Sequence, residues 1–226
     1  MGITMNTKFF NWVGIVAGTL LALAAGSVTA AVYPKGDAAA GEPLVASCAG
    51  CHGMDGNSAM GAFPKLAGLG EKYLTKQLMD VRDGKRQIVE MTGILDGMSD
   101  QQLADMAAFY NGKNRQISGA KQIQLVGSSM SGDEAIALGE SLYRGGNPDI
   151  GIPSCTGCHA PNGAGNDPAG YPALGGQHAD YIAKQLRMFR DSLRHNDGEA
   201  KVMRGVAERM SNREIDALAN YIAGLH

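Results

Sequence analysis

The sequence predicts an all-α chain built as two tandem copies of one small domain, and three observations carry that prediction. Apolar residues recur at helical spacing in six segments, while strand-like alternation is scarce. A series of short motifs occurs twice, in the same order and at nearly constant separation. Gly makes up 32 of the 226 residues, with 8 Pro, about twice the usual glycine share, so the helices must be joined by connections rich in tight turns.

Composition narrows the classes further. Hydrophobic residues are 44% and charged residues 19% of the chain, far from the low-hydrophobicity, high-charge balance that keeps chains disordered. With 20 Lys and Arg against 22 Asp and Glu the net charge is −2, so no field draws in a polyanion and nucleic acid is not an expected partner.

Taken in order, residues 1–30 read as a signal peptide. Lys8 supplies positive charge, Val13 to Ala25 is apolar, and Val28-Thr29-Ala30 offers the small residues a signal peptidase needs, so the mature chain is expected to begin near Ala31. The alternative is a retained anchor, because Trp12 to Val32 is an uncharged stretch of 21 residues, enough to span a bilayer. Residues 31–111 form the first expected domain. Residues 112–132, with Asn-Gly, Ser-Gly and Gly-Ser-Ser signals, form a linker, and residues 133–226 the second domain.

Within the copies, helices are expected over 38–46, 72–83 and 100–110, and again over 134–143, 180–192 and 212–223. Pro43 interrupts the first of these, which predicts a kinked or shortened helix. Ser99 with Gln102, and Ser211 with Glu214, have capping-box spacing at the starts of the last helices. The duplication is explicit in the motifs. Cys48-Ala-Gly-Cys51-His52 returns as Cys155-Thr-Gly-Cys158-His159, Phe63-Pro64-Lys65-Leu66 as Tyr171-Pro172-Ala173-Leu174, and Tyr73-Leu-Thr-Lys76-Gln77-Leu78 as Tyr181-Ile-Ala-Lys184-Gln185-Leu186. Met91-Thr-Gly93 and Met98-Ser99 return as Met203-Arg-Gly205 and Met210-Ser211.

Domains this small, with 6% aromatic residues, have too little core of their own. Cysteine usage supplies the missing core: all 4 Cys fall in two Cys-x-x-Cys-His motifs, the attachment signature of a c-type haem. Two thiols add to the haem vinyl groups, and the adjacent His52 or His159 ligates iron. A thioredoxin-like redox pair would need a βαβ context that is absent, and a zinc site built from two Cys-x-x-Cys pairs would leave the paired histidines unexplained. Two covalently bound haem c groups are therefore expected.

From Asp37 to His226 the chain resembles the dihaem cytochromes c4, through both haem motifs, the Pro-x-Leu and Tyr-x-x-Lys-Gln-Leu segments, the Met-x-Gly segments and the closing Tyr221-Ile-Ala-Gly-Leu-His226. The resemblance implies two tandem cytochrome c-like domains of class I, each wrapped around a covalent haem with His/Met iron. It implies a periplasmic carrier that takes electrons from a quinol-oxidising complex and passes them to a haem-copper terminal oxidase. It also implies that Pro64 and Pro172 present their carbonyls to the axial histidines, with Leu66 and Leu174 packing on the haems, and that Gly41 and Gly139 allow a close crossing with the last helix of each copy.

For the sixth iron ligand each half offers two methionines, Met91 or Met98 and Met203 or Met210. Met98 and Met210 directly precede the N-cap serines, where an apolar side chain staples onto the first helical turn, with Leu103 and Ile215 as its partners. Met91 and Met203 are expected in loops free to cover the open haem face, which is also where the cytochrome c4 pattern puts its ligand. The axial pairs expected are His52/Met91 and His159/Met203. Tyr73, Lys76 and Gln77, with Tyr181, Lys184 and Gln185, suit haem propionates, the domain interface or an amphipathic helix face. His178, His195 and His226 have no counterpart in the other half and are expected in solvent; the row Arg187, Arg190 and Arg194 suits a solvated face or a contact with a partner or a propionate. No nucleophile or acid–base set converges, so catalytic residues are not expected. The rival readings are a dihaem enzyme of peroxidase or sulfur-compound dehydrogenase type, and an anchored cytochrome subunit of an oxidase.

Overall fold

The computed structural model describes residues 1–2 and 33–226; the expected signal peptide or anchor and the cleavage near Ala31 lie outside these. Local sequence decides where each helix starts and stops. The carboxylate of Asp37 caps α1 (Ala38–Gly41) by accepting from the backbone of Ala39 and Ala40. Pro43 then diverts the chain into a 3-10 turn, Glu42–Val45, so the helix is short, as a ring without an N–H donor requires. Its counterpart in the second half carries no proline and runs for 14 residues.

The first half continues with α2 (Ala49–His52), α3 (Glu71–Arg82) and α4 (Asp100–Asn111), and the second half repeats the plan with α5 (Gly132–Gly145), α6 (Thr156–His159), α7 (Ala179–Arg190), α8 (Val202–Ala207) and α9 (Asn212–Gly224). Reciprocal capping boxes open α4 at Ser99 and Gln102, and α9 at Ser211 and Glu214. A third box, Ser131 with Glu134, starts α5 two residues before the expected position. Among the described residues there is no strand, only two isolated bridges, and no helix is long and apolar enough to cross a membrane.

Each half builds its core on its last helix. α1 and α3 pack on α4, and α5 and α7 on α9. Gly41 and Gly139 make the crossing possible: a Cβ on Gly41 would lie 2.1 Å from the carbonyl oxygen of Asp105, and one on Gly139 would lie 2.2 Å from that of Ala217. Both distances are far inside van der Waals contact, so glycine is required for the backbones to meet. Met98 and Leu103 share the first core, Met210 and Ile215 the second, the stapled arrangement expected of residues that flank an N-cap.

Residues 33–226 form one compact unit, and the segment expected as a linker is bonded along its length. Gln116 donates its N–H to Asn57 Oδ1, Ser118 to the carbonyl of Gly176 and Gly119 to that of Ala223, while Asn220 pairs with both backbone groups of Lys121. Leu125 is buried against Ala135 and Ala217. The Gly- and Ser-rich composition does break helices here, yet the backbone groups it frees are taken up by both halves.

Candidate haem sites

The Cys-x-x-Cys-His segments form single helical turns. His52 donates its backbone N–H to the carbonyl of Cys48 and His159 to that of Cys155, both at 2.9 Å. The chain then leaves the turn with positive φ, 79° at Gly53 and 67° at Ala160.

Both histidines are buried, and each ring is fixed from behind. His52 Nδ1 lies 2.8 Å from the carbonyl oxygen of Pro64, and His159 Nδ1 lies 2.8 Å from that of Pro172. A carbonyl only accepts, so Nδ1 carries the proton and Nε2 keeps its lone pair for a metal. Burial lowers both imidazole pKa values, against the opposing pull of the proline carbonyls. Aromatic rings edge each histidine at 6.2 Å, Phe63 in the first half and Tyr171 in the second.

A cavity of about 310 Å³ in the first half is lined by Cys48, Cys51, His52, Pro64, Leu66 and Met91, with Leu69, Leu74, Leu95 and Met106 among its apolar walls. In the second half Cys155, Leu174 and Met203 each pack, partly buried, against the core. Met91 ends a 3-10 turn, Val89–Met91, as expected of a connection. Met203 departs from the expected loop: it is the second residue of α8. The reason is local. Asp197 accepts from both the backbone N–H of Arg204 at 2.9 Å and its Nε at 2.7 Å, which nucleates a turn in a connection four residues longer than that of the first half.

The residues around His52 fit a porphyrin with carboxylate side chains, and the second half repeats the attachment turn and the histidine–proline bond. Much of the cavity wall is apolar, and the hydroxyl of Tyr110, buried on the same cavity, has no hydrogen-bond partner among the described residues. Its rim carries guanidinium groups that face neutral acceptors. Arg86 donates to Gln77 at 2.9 Å, Tyr181 at 3.0 Å and Gln185 at 3.1 Å; Arg194 donates to Gln185 at 2.7 Å, Gln77 at 2.9 Å and Tyr73 at 3.1 Å. Burial alone would push the Tyr73 hydroxyl up, but Arg194, Arg86 and Lys76 leave it below the ordinary phenol value. Burial pushes the Cys48 thiol up, and that of Cys155 to about 12, the reverse of the activated thiolate of a redox pair.

Two expectations of solvent exposure are corrected. His178 is bonded at both ring nitrogens, to the carbonyl oxygen of Ser58 at 2.8 Å and the hydroxyl of Ser118 at 3.0 Å, so it bridges the halves instead of facing solvent. Arg194 is buried, with its guanidinium 4.5 Å over the ring of Phe189. Arg190 donates to the carbonyl of Met210, and Arg187 pairs with Asp216. His195 and His226 are exposed as expected. The Tyr-x-x-x-Gln residues of α3 and α7 meet across the two halves, and Lys76 bonds Asp80 and the carbonyl of Asn196. Arg86, which holds the place of Arg194 in the first half, escaped the sequence reading; its separation of 108 residues, shared with Tyr73 and Tyr181, was the available signal.

Comparison with known proteins agrees with this geometry. The family model described as cytochrome c matches residues 38–111 and 136–226. The chain is 50% identical over 209 residues to cytochrome c4 of Stutzerimonas stutzeri, covering 88% of this chain and 94% of that one. It is 34% identical over 221 residues to a thiosulfate dehydrogenase electron acceptor of Stutzerimonas stutzeri strain A1501, covering 96% of each. Among solved structures, reduced recombinant cytochrome c4 from Pseudomonas stutzeri superposes with a TM-score of 0.78 at 50% identity, covering 84% of this chain and all of that one.

Proposed function

The chain belongs to the dihaem cytochrome c4 family, and from that premise we propose that it is a periplasmic electron carrier with axial pairs His52/Met91 and His159/Met203. It carries two covalent haem c groups, on Cys48 and Cys51 and on Cys155 and Cys158. Each haem supplies one-electron iron chemistry, and the protein supplies ligands, burial and orientation. The donor is a quinol-oxidising cytochrome complex and the acceptor a haem-copper terminal oxidase.

The observation that carries this reading is the matched pair of 2.8 Å bonds from His52 to Pro64 and from His159 to Pro172. Such a bond fixes the orientation of a ligating imidazole and raises its basicity, and its presence in both halves supports two equivalent carrier sites instead of one opened for catalysis. Met91 shares the cavity of His52, and a thioether ligand suits the high-potential end of a respiratory chain. Arg86 and Arg194, with Tyr73, Gln77, Tyr181 and Gln185 around them, would supply the donors for haem propionates.

The test is a redox titration with spectra of both haems and exposure of the reduced protein to carbon monoxide. Two low-spin haems that stay closed to carbon monoxide are expected. Rapid binding at one haem would select the dihaem enzyme instead. The likeness to a thiosulfate dehydrogenase electron acceptor favours a second reading of the donor, in which electrons arrive from thiosulfate oxidation. Rapid reduction by such a dehydrogenase, with no reduction by a quinol-oxidising complex, would select it. Recovery of the protein only from membranes, with Lys8 retained, would select the anchored oxidase subunit.

A further inference from the structure

The structure assigns Gln177, in the second half, as a positioning residue that tunes the reduction potential of the first haem. This rests on His52 being an axial ligand. The carbonyl that His52 bonds belongs to the peptide between Pro64 and Lys65, and the N–H of that same peptide donates to Gln177 Oε1 at 2.9 Å. Gln177 Nε2 in turn donates to the carbonyl of Lys65 at 2.9 Å. The side chain is 1% exposed, so water does not compete for either bond.

The result is a relay of one imidazole, one peptide and one buried amide. Hydrogen bonds in series polarise one another, most strongly where water is excluded. An acceptor on the peptide N–H makes its carbonyl oxygen more negative, which strengthens the bond from His52, makes the imidazole a better electron donor and favours the oxidised haem. The second half repeats the arrangement with a different acceptor. The peptide bonded by His159 lies between Pro172 and Ala173, and its N–H donates to the carbonyl of Leu69 in the first half at 3.1 Å. Each ligand histidine is therefore backed by a peptide whose far edge is held by the opposite half. In the first half alone that hold is a side chain, open to substitution without touching a ligand or a cysteine.

The experiment titrates the intact dihaem protein while following the haem-methyl proton resonances, which report each haem separately. Gln177→Met keeps the length and removes the acceptor; the first haem should become easier to reduce, by a several-fold shift in its one-electron equilibrium, where tenfold is about 59 mV. Gln177→Glu puts an anionic acceptor at the same place and should shift the first haem the opposite way, which keeps the proposal testable if the methionine variant fails to assemble. Lys72→Ala, which removes a contact between the halves to the carbonyl of Pro168, serves as the control and should move neither haem. No shift at the first haem, or equal shifts at both, would overturn the assignment. Loss of the sulfur-to-iron band in the unsubstituted protein would count against the His52/Met91 pair itself.

Discussion

Arg194 Nη2 donates to the hydroxyl of Tyr73 at 3.1 Å, 121 residues away in the other half of the chain. Arg86 makes the mirror-image bond to Tyr181 at 3.0 Å, so the duplicated halves exchange equivalent arginines across their boundary. Arg194 also serves Gln77 and Gln185, so its removal deletes three bonds to a charged donor, although Arg86 still reaches both glutamines. Arg194→Met should cost about 3 kcal/mol, read as a lower thermal midpoint. Arg190→Met, on the partly exposed flank of α7, should cost about 1 kcal/mol or less.

The glycine crossings predict a second pair of losses. Gly139→Ala drives its Cβ into the Ala217 carbonyl and within 2.7 Å of Tyr221 Cβ, and Gly41→Ala meets the Asp105 carbonyl in the same way. Neither obstacle is the end of a flexible side chain, so the helices must separate. A cost of about 3 kcal/mol is expected for each, measured by denaturant unfolding, with Gly205→Ala, whose Cβ would meet nothing within 4 Å, as the tolerated comparison.

Much of this was legible in the sequence because helical periodicity and duplication are local or self-comparing signals. Five of the six expected helices appear within about two residues at each end, and Pro43 correctly marked the sixth as short. The haem cysteines and histidines were legible because attachment chemistry fixes their spacing. The boundary between the halves was legible only as one alternative, for Tyr73, Gln77, Tyr181 and Gln185, which do meet there through Arg86 and Arg194. A run of Arg187, Arg190 and Arg194 has the same helical spacing whether it faces water or a second domain, and α7 ends before Arg194, which turns inward instead. His178 lies next to Gln177, yet nothing local says that Ser58 waits 120 residues away. Met203 was misplaced because Asp197, which clamps Arg204 and winds the segment, lies in a connection four residues longer than that of the first half, where Thr92 stands in place of Arg204.

Ala160 gives a prediction of the opposite sign. Its φ of 67° with ψ of 156° is a region that only glycine enters without strain, and the equivalent Gly53 adopts φ 79° with ψ 156°. The hydroxyl of Tyr143 donates to the Ala160 carbonyl at 2.6 Å and helps to hold it there. Ala160→Gly should therefore stabilise the second half by about 1 kcal/mol, seen as a raised thermal midpoint. An unchanged or lowered midpoint would refute the strain.

The cap of α9 predicts a dependence on pH. Burial would raise the Glu214 carboxyl, but bonds from Ser211 and Asn147, with Arg213 nearby, leave it below the ordinary value of 4.5. A depressed folded pKa adds stability that is complete above the unfolded pKa and is lost as pH falls through the folded one. Ser211→Ala should cost about 1 kcal/mol near neutral pH and flatten that acid limb. An acid limb as steep as that of the unsubstituted protein would show that the cap does not control the titration.

The choice between Met203 and Met210 is the prediction that most directly tests the site. Met210 is 2% exposed, shares a core with Ile215, and offers its carbonyl to Arg190; side chain and backbone are both engaged in starting α9. Met203, half-buried, only packs on the margin of that core, on a helix fixed by Asp197 and Arg204, so its thioether is not needed to fill the core. Met210→Leu, nearly volume-conserving, should cost about 1 kcal/mol and leave the near-infrared sulfur-to-iron band of the second haem intact. Met203→Leu should abolish that band with less effect on stability, and Met203→His should abolish it and lower the second haem's potential, because imidazole donates more strongly to ferric iron than a thioether does. The reverse pattern, band lost in Met210→Leu and kept in Met203→Leu, would require the α9 cap to open so that Met210 could reach the iron, at the expense of the packing that now buries it.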